Sequence, residues 1–188
     1  TSSGLIIPHP SDNDLYYVFT VDEPHHDNAF AYPDKGPANR DGSSRDSYSD
    51  SGRFPNTVPQ DDDGYNNGLN YSIVDMSLRN GLGDVATRER NNELITYDKN
   101  DSEEIKYKCS EKITAVRGAD CSSTWLITHF IDTFYAFKID DNGVNKTPVI
   151  SQSDPIVPLS GYRRSALGYL KASPDGEKLI MANNTTNY

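Results

Sequence analysis

The sequence predicts an all-β chain built from repeated four-stranded antiparallel sheets. Three observations carry this prediction. Apolar runs of strand length recur in pairs around short clusters of Pro, Ser, Asp and Asn. Asn-Gly turns follow at matching places, and both residues of such a turn accept positive φ. No amphipathic stretch of helical period separates the strands, which argues against a parallel-sheet enzyme, and no helix is expected anywhere.

Taken in order, "GLIIPHPSDNDLYYVFTV" (4–21) is an apolar run, a polar turn and a second apolar run. "LNYSIVDMSLRNGLGDVAT" (69–87) follows as a β-rich run, the Asn80-Gly81 turn and a shorter run. "KITAVRGADCSSTWLITHF" (112–130) repeats the first pattern around Ala119-Asp120-Cys121-Ser122. "TFYAFKIDDNGVNKTPVIS" (133–151) repeats the second around Asn142-Gly143. "SALGYLKASPDGEKLIMAN" (165–183) opens a third copy, with Pro174 presetting the first central position of a tight turn. From Ile113 to Ala166 the period is about 53 residues, the spacing of propeller blades.

One four-stranded sheet cannot bury both faces, whereas stacking several around a channel does. The expected fold is therefore a partial β-propeller of about two and a half blades in one domain spanning 1–188. Such an arc exposes apolar faces and strand edges, so further blades of the same protein or another chain are expected to complete it. Residues 22–68 interrupt the first repeat between its second and third strands. This insert is rich in Asp, Asn, Gly, Pro and Ser and lacks periodicity. Loops longer than about 15 residues are usually functional or disordered.

The composition sets limits on partners. Only 35% of residues are hydrophobic, while the 12 Tyr suit half-wet sheet faces and binding surfaces. A net charge of −10 disfavours nucleic acid and anionic membranes and permits divalent cations. No apolar run approaches the roughly 20 residues needed to span a bilayer. Cys109 and Cys121 match no zinc motif, and extended chain between them would hold them too far apart to bridge unless it bends.

The phrases "GLNYSIVDMSLRNGLGDV", "KITAVRGAD", "WLITHF", "TFYAFKIDDNGV" and "ALGYLKASPDGEKLIMAN" resemble the N-terminal β-propeller of large exported Bacteroidetes proteins. Those proteins often end in a type IX secretion sorting domain of type B, the gliding-motility-associated kind. The likeness covers residues 4–21 and 69–183. It implies residence outside the cell or on its surface and a role in adhesion or scaffolding, with a protein or carbohydrate as partner. It carries no catalytic residue set. The acidic insert is not part of that pattern, and these 188 residues contain no sorting domain.

The calcium candidates are Asp61, Asp62 and Asp63, with Gly64, Asn66, Asn67 and Gly68 following. A hard cation takes six to eight oxygens, and adjacent carboxylates repel unless a cation intervenes. The spacing is not that of an EF-hand. Asp22, Glu23, Asp46 and Asp50 are weaker contributors. His25-His26 beside Asp27 form a transition-metal candidate, with His9 or His129 joining in space, although neighbouring side chains of an extended chain point apart. His129 near Asp132 suggests acid-base chemistry, but no Gly-x-Ser-x-Gly elbow accompanies it. Trp125, Tyr16 and Tyr17 are candidates for stacking on sugars, and alternation sends at least one of the two tyrosines to the core. The expected function is a binding or scaffold module. The alternative is a glycan hydrolase or lyase in which Asp75 and Asp132 form an acid-base pair.

Overall fold

The computed structural model describes residues 4–21, 68–154, 157–159 and 166–183. The chain is all-β, with antiparallel sheets, none of which is closed among the described residues. The first sheet contains β1 (Gly4–Pro8), β2 (Leu15–Val21) and β3 (Leu69–Asp75), with β4 (Asp84–Val85) and β5 (Asn92–Leu94) both paired to β3. The second contains β6 (Ile113–Arg117), β7 (Thr124–Phe130) and β8 (Thr133–Asp140), with β9 (Gly143–Val144) and β10 (Val149–Gln152) both paired to β8. A two-stranded ribbon follows, β11 (Gly168–Ala172) with β12 (Leu179–Asn183). No helix among the described residues is long and apolar enough to cross a membrane.

The strands form where the sequence alternates. Along β2, Tyr17, Phe19 and Val21 are buried while Tyr16, Val18 and Thr20 are partly or fully exposed. Their partners across the ladder, Ile73, Tyr71 and Leu69, lie on the same face. The fourth position of each full sheet is split, unlike the single outer strand expected. β4 meets Val74 and Asp75, and β5 meets Leu69 to Tyr71. Between them the chain bulges outward, and Ile73 still exchanges backbone hydrogen bonds with Ala86 and Glu89. β9 and β10 divide the edge of β8 in the same way.

The turns carry the repeat. In the β6–β7 turn Gly118 N–H donates to Ser123 O and Cys121 N–H to Gly118 O. In the β11–β12 turn Ser173 N–H donates to Lys178 O and Gly176 N–H to Ser173 O. Asp120 and Asp175 occupy the same place, each accepting from the backbone N–H two residues on and from a serine hydroxyl. Those hydrogen bonds hold both carboxyls below the ordinary aspartate range. The left-handed position is filled by Cys121 (φ 59) in one turn and Gly176 (φ 74) in the other. Because both loops have the same length, Ile113 corresponds to Gly168 rather than to Ala166, and the period is about 55 residues.

Three local expectations are corrected. Asn80 and Gly81 do take positive φ, but so does Arg79, and pairing resumes only at Asp75 with Asp84. The connection is a wider loop, clasped by an Arg79–Asp84 ion pair at 2.9 Å. At the other Asn-Gly, only Gly143 is left-handed, because it pairs with Asp140 and leaves Asp141-Asn142 as the loop. Lastly, a single helical turn, Glu104–Tyr107, does form. Asp101 Oδ1 accepts from the backbone N–H groups of Glu103 and Glu104 and satisfies its first donors.

The main core lies between the two full sheets. Ile7, Tyr17, Phe19, Leu69 and Tyr71 from the first meet Ile113, Leu126, Phe137 and Ile139 from the second. Each such side chain contributes about 1.5–3 kcal/mol by leaving water. β1 lies beside β6, and β6 beside β11, so the first strands of the three units are neighbours in chain order.

Candidate functional site

Two places among the described residues gather polar side chains. The first is sealed. Where β6 begins and β7 ends, Ser110, Glu111, Lys112, Thr128 and His129 are all buried. Alternation places Lys112 and His129 on the face of the second sheet that is turned toward the ribbon. The Lys112 Cε lies 3.1 Å from where a Cβ on Gly168 would sit. Thr128 Oγ1 donates to Lys112 O at 3.0 Å, and Glu111 N–H donates to Ala166 O at 3.3 Å. Burial pushes the Lys112 ammonium down to about 8, partly opposed by the Glu111 charge. Burial also pushes the His129 ring down to about 4, with help from the Lys112 charge and against the pull of Asp132. Glu111 Oε2, both His129 ring nitrogens and Asn183 Oδ1 are buried without a hydrogen-bond partner.

This cluster does not make the acid-base pair that the sequence suggested. His129 stands edge-on to Phe134, with ring centroids 4.7 Å apart. Asp132 Oδ1 instead accepts from Thr133 Oγ1 at 2.8 Å.

The second place is open. A cavity of about 500 Å³ lies where the chain leaves β2 and re-enters β3, lined by Thr20, Val21, Gly68, Asn70, Asn91, Glu93 and Lys108. Three of these form one row across the sheet, since Thr20 pairs with Asn70 and Asn70 with Glu93. Period-2 alternation puts this row on the face away from the main core. Tyr97 Oη donates to Glu93 Oε1 at 3.1 Å, and the Lys108 ammonium lies 5.8 Å from the centre of the Tyr97 ring. Burial and the Glu93 charge push the Tyr97 hydroxyl up to about 12. A carboxylate, an ammonium, two carboxamides and a hydroxyl thus share one wall. That set can hydrogen-bond a polar ligand as both donor and acceptor.

The other sequence candidates scatter. Asp61, Asp62 and Asp63 lie outside the described residues, as do His25, His26, Asp27, Asp22, Glu23, Asp46 and Asp50. Among the described residues no group of three or more His, Cys, Asp or Glu is placed to hold a metal ion. Asp75 ends β3 and accepts from the Ser77 N–H and hydroxyl at 2.8 and 2.6 Å. Asp132 belongs to the β7–β8 turn of the other sheet. Each is held by its own near neighbours. Tyr17 is buried and stacks on His9 at 5.6 Å, while Tyr16 is half-buried. Trp125 is half-buried too. Cys109 is buried, Cys121 is exposed and no disulfide joins them. The sequence reading passed over Lys112 and Glu93. The available signal was a charged residue at the edge of an apolar strand run, and only the partner strands decide whether such a residue is buried.

Comparison with known proteins gives no match. No family model matches the chain, no curated protein does, and no solved structure does.

Proposed function

We propose that this chain is a binding or scaffold module: an arc of a β-propeller belonging to an exported bacterial surface protein, holding a protein or carbohydrate rather than transforming it. One observation carries the reading. Successive sheets stack through unlike faces in chain order. The face with Tyr17 and Phe19 packs on the opposite face of the next sheet, the one with Leu126 and Phe137. That second sheet then turns its other face, with Val116, to the ribbon, where Val116 Cγ2 lies 3.0 Å from the Cβ position of Gly176. A sandwich joins like inner faces and stops; stacking through unlike faces continues, as blades around an axis do. The row of Thr20, Asn70 and Glu93 is the proposed contact surface. Asp61, Asp62 and Asp63 in the insert are the assigned calcium ligands.

Electron microscopy of the protein made from its complete reading frame tests the architecture. A ring of radial sheets is expected, and a closed two-sheet sandwich overturns it. Binding to a glycan and surface-protein array tests the activity. Signal lost in Glu93→Gln and Asn70→Ala supports the groove, and signal unchanged in both removes it. Calcium at millimolar concentration is expected to raise Tm, since a ligand bound only by the folded state stabilises it. No shift with calcium or chelator refutes the metal assignment.

A further inference from the structure

Backbone strain gathers around the open cavity between β2 and β3. Gly68 (φ 74), Asn91 (φ 54) and Lys108 (φ 56) all line it, and all three are left-handed. At Lys108 ψ is −39, and Cys109 N–H donates to Tyr107 O at 2.6 Å across it. That is a γ-turn of the rare, strained hand. Such strain persists only where the surroundings over-determine it. Here Lys108 N–H donates to Glu104 O at 2.8 Å, and the Oγ1 of buried Thr96 donates to Lys108 O at 2.6 Å. Gly68 completes the seat, since a Cβ there would lie 3.4 Å from Lys108 Cβ and 4.0 Å from Glu93 Oε1. A costly backbone conformation thus fixes a cation on the wall that carries Glu93, Asn70 and Asn91.

The wall sets the class of ligand. An ionised glutamate only accepts hydrogen bonds, a lysine only donates them, and threonine and asparagine do both. Sugar hydroxyls also do both, so neighbouring hydroxyls can bridge the carboxylate, the carboxamides and the ammonium. One positive and one negative group leave the wall neutral, and the net charge of −10 on the chain repels a polyanion. A peptide fits less well. At Asn70 the central strand is paired on both sides, to Thr20 and to Glu93, so no edge is open there for an added strand. Among the described lining residues Val21 is the one large apolar side chain, and it is buried, so it offers no pocket to an apolar peptide side chain. A volume of about 500 Å³ lies within the range of small-ligand sites.

We propose that this cavity binds an uncharged saccharide segment through its hydroxyl groups, with the Lys108 ammonium as donor and the Glu93 carboxylate as acceptor. Tyr97 donates to Glu93 and lies under Lys108, so its ring orients the pair rather than stacking on a sugar. The choice of a neutral glycan rests on the binding-module reading above and narrows its ligand.

Saturation-transfer NMR on the protein tests this with cellobiose, lactose and mannobiose as neutral probes, digalacturonate as an acidic one, and a library of uncharged peptides. At least one neutral disaccharide is expected to bind. Lys108→Met and Glu93→Gln are each expected to weaken that binding by about tenfold or more, because each removes a charged hydrogen-bonding partner. Lys108→Arg keeps the cation and is expected to retain most of the binding, which separates loss of the charge from loss of the fold. Lys171→Met, at an exposed position of the ribbon, is expected to change nothing. Neutral binding that survives both Lys108→Met and Glu93→Gln lies elsewhere and overturns the proposal. Digalacturonate binding more tightly than every neutral probe overturns the choice of an uncharged ligand. Peptide binding that Glu93→Gln abolishes, with no saccharide bound, overturns the saccharide and leaves the binding-module reading standing. Silence from every probe overturns the proposal, while the array decides the wider reading separately.

Discussion

Replacing His129 with leucine should remove much of the acid sensitivity of this fold. The ring is buried, neither nitrogen has a hydrogen-bond partner, and Lys112 stands near it. Its pKa falls from 6.5 to about 4 in the folded state. The unfolded chain therefore binds the proton first as pH drops, so stability is complete above 6.5, is lost progressively down to about 4, and is level below that. At about 1.4 kcal/mol per pKa unit the whole loss is about 3 kcal/mol, and near pH 4.5 it is about 2.5 kcal/mol. That is a large share of the roughly 5–15 kcal/mol that holds a typical domain folded. Urea unfolding followed by Trp125 fluorescence, at pH 7 and pH 4.5, gives the comparison. His129→Leu should match or slightly exceed wild type at pH 7, because two unpartnered polar atoms are gone. At the lower pH it should exceed wild type by about 2–3 kcal/mol. Carboxylates lose stability in acid in both proteins, so the difference isolates the histidine. Equal pH dependence in the two proteins, or a His129 ring that titrates near its ordinary value in the folded state, would falsify the burial argument.

Other expectations follow from the same geometry. Lys112 should add up to about 3 kcal/mol to stability between about pH 8 and 10.5, because the unfolded chain then holds a proton that folded Lys112 has released; the buried tyrosines pull the other way above about pH 10 in both proteins, so the effect is read as the difference between wild type and Lys112→Met in the same urea series, and equal pH dependence in the two refutes it. Gly168→Ala should cost about 3 kcal/mol or more, since φ is +149 and the new Cβ would lie 1.9 Å from Ala182 O; a thermal shift no larger than that of an exposed Ala substitution would refute it. Cys121→Gly should stabilise by about 1 kcal/mol by removing a side chain from a left-handed position that the matching turn fills with Gly176, and an unchanged or lower Tm counts against this. A thiol reagent should label Cys121 in the native protein and reach Cys109 only on unfolding, and labelling at equal rates would contradict the assigned burial.

The sequence by itself determined the all-β class, the paired strands and the β6–β7 and β11–β12 turns, though not the geometry at the two Asn-Gly sites. Alternation in "LYYVFTV" settles which side chains share a face, and Ser173-Pro174-Asp175-Gly176 settles a turn from its own φ preferences and the hydrogen bonds of its serine and aspartate. These are forces between residues close in the chain, so they are legible in it. Only the tertiary structure decided the rest. Outer strands are split because the chain bulges away from β3 and β8 after a single short pairing, and this depends on where the neighbouring strand ends. Ile113 matches Gly168 instead of Ala166 because ladder pairing, not resemblance of residues, fixes register. His129 and Asp132 were three residues apart and looked like a dyad, yet packing turned one ring inward against Phe134 and left the carboxylate on its own turn. Thr20, Asn70 and Glu93 are far apart in sequence and became one row through two registers. Burial and convergence of this kind depend on contacts between distant segments, and those arise only when whole sheets meet face to face.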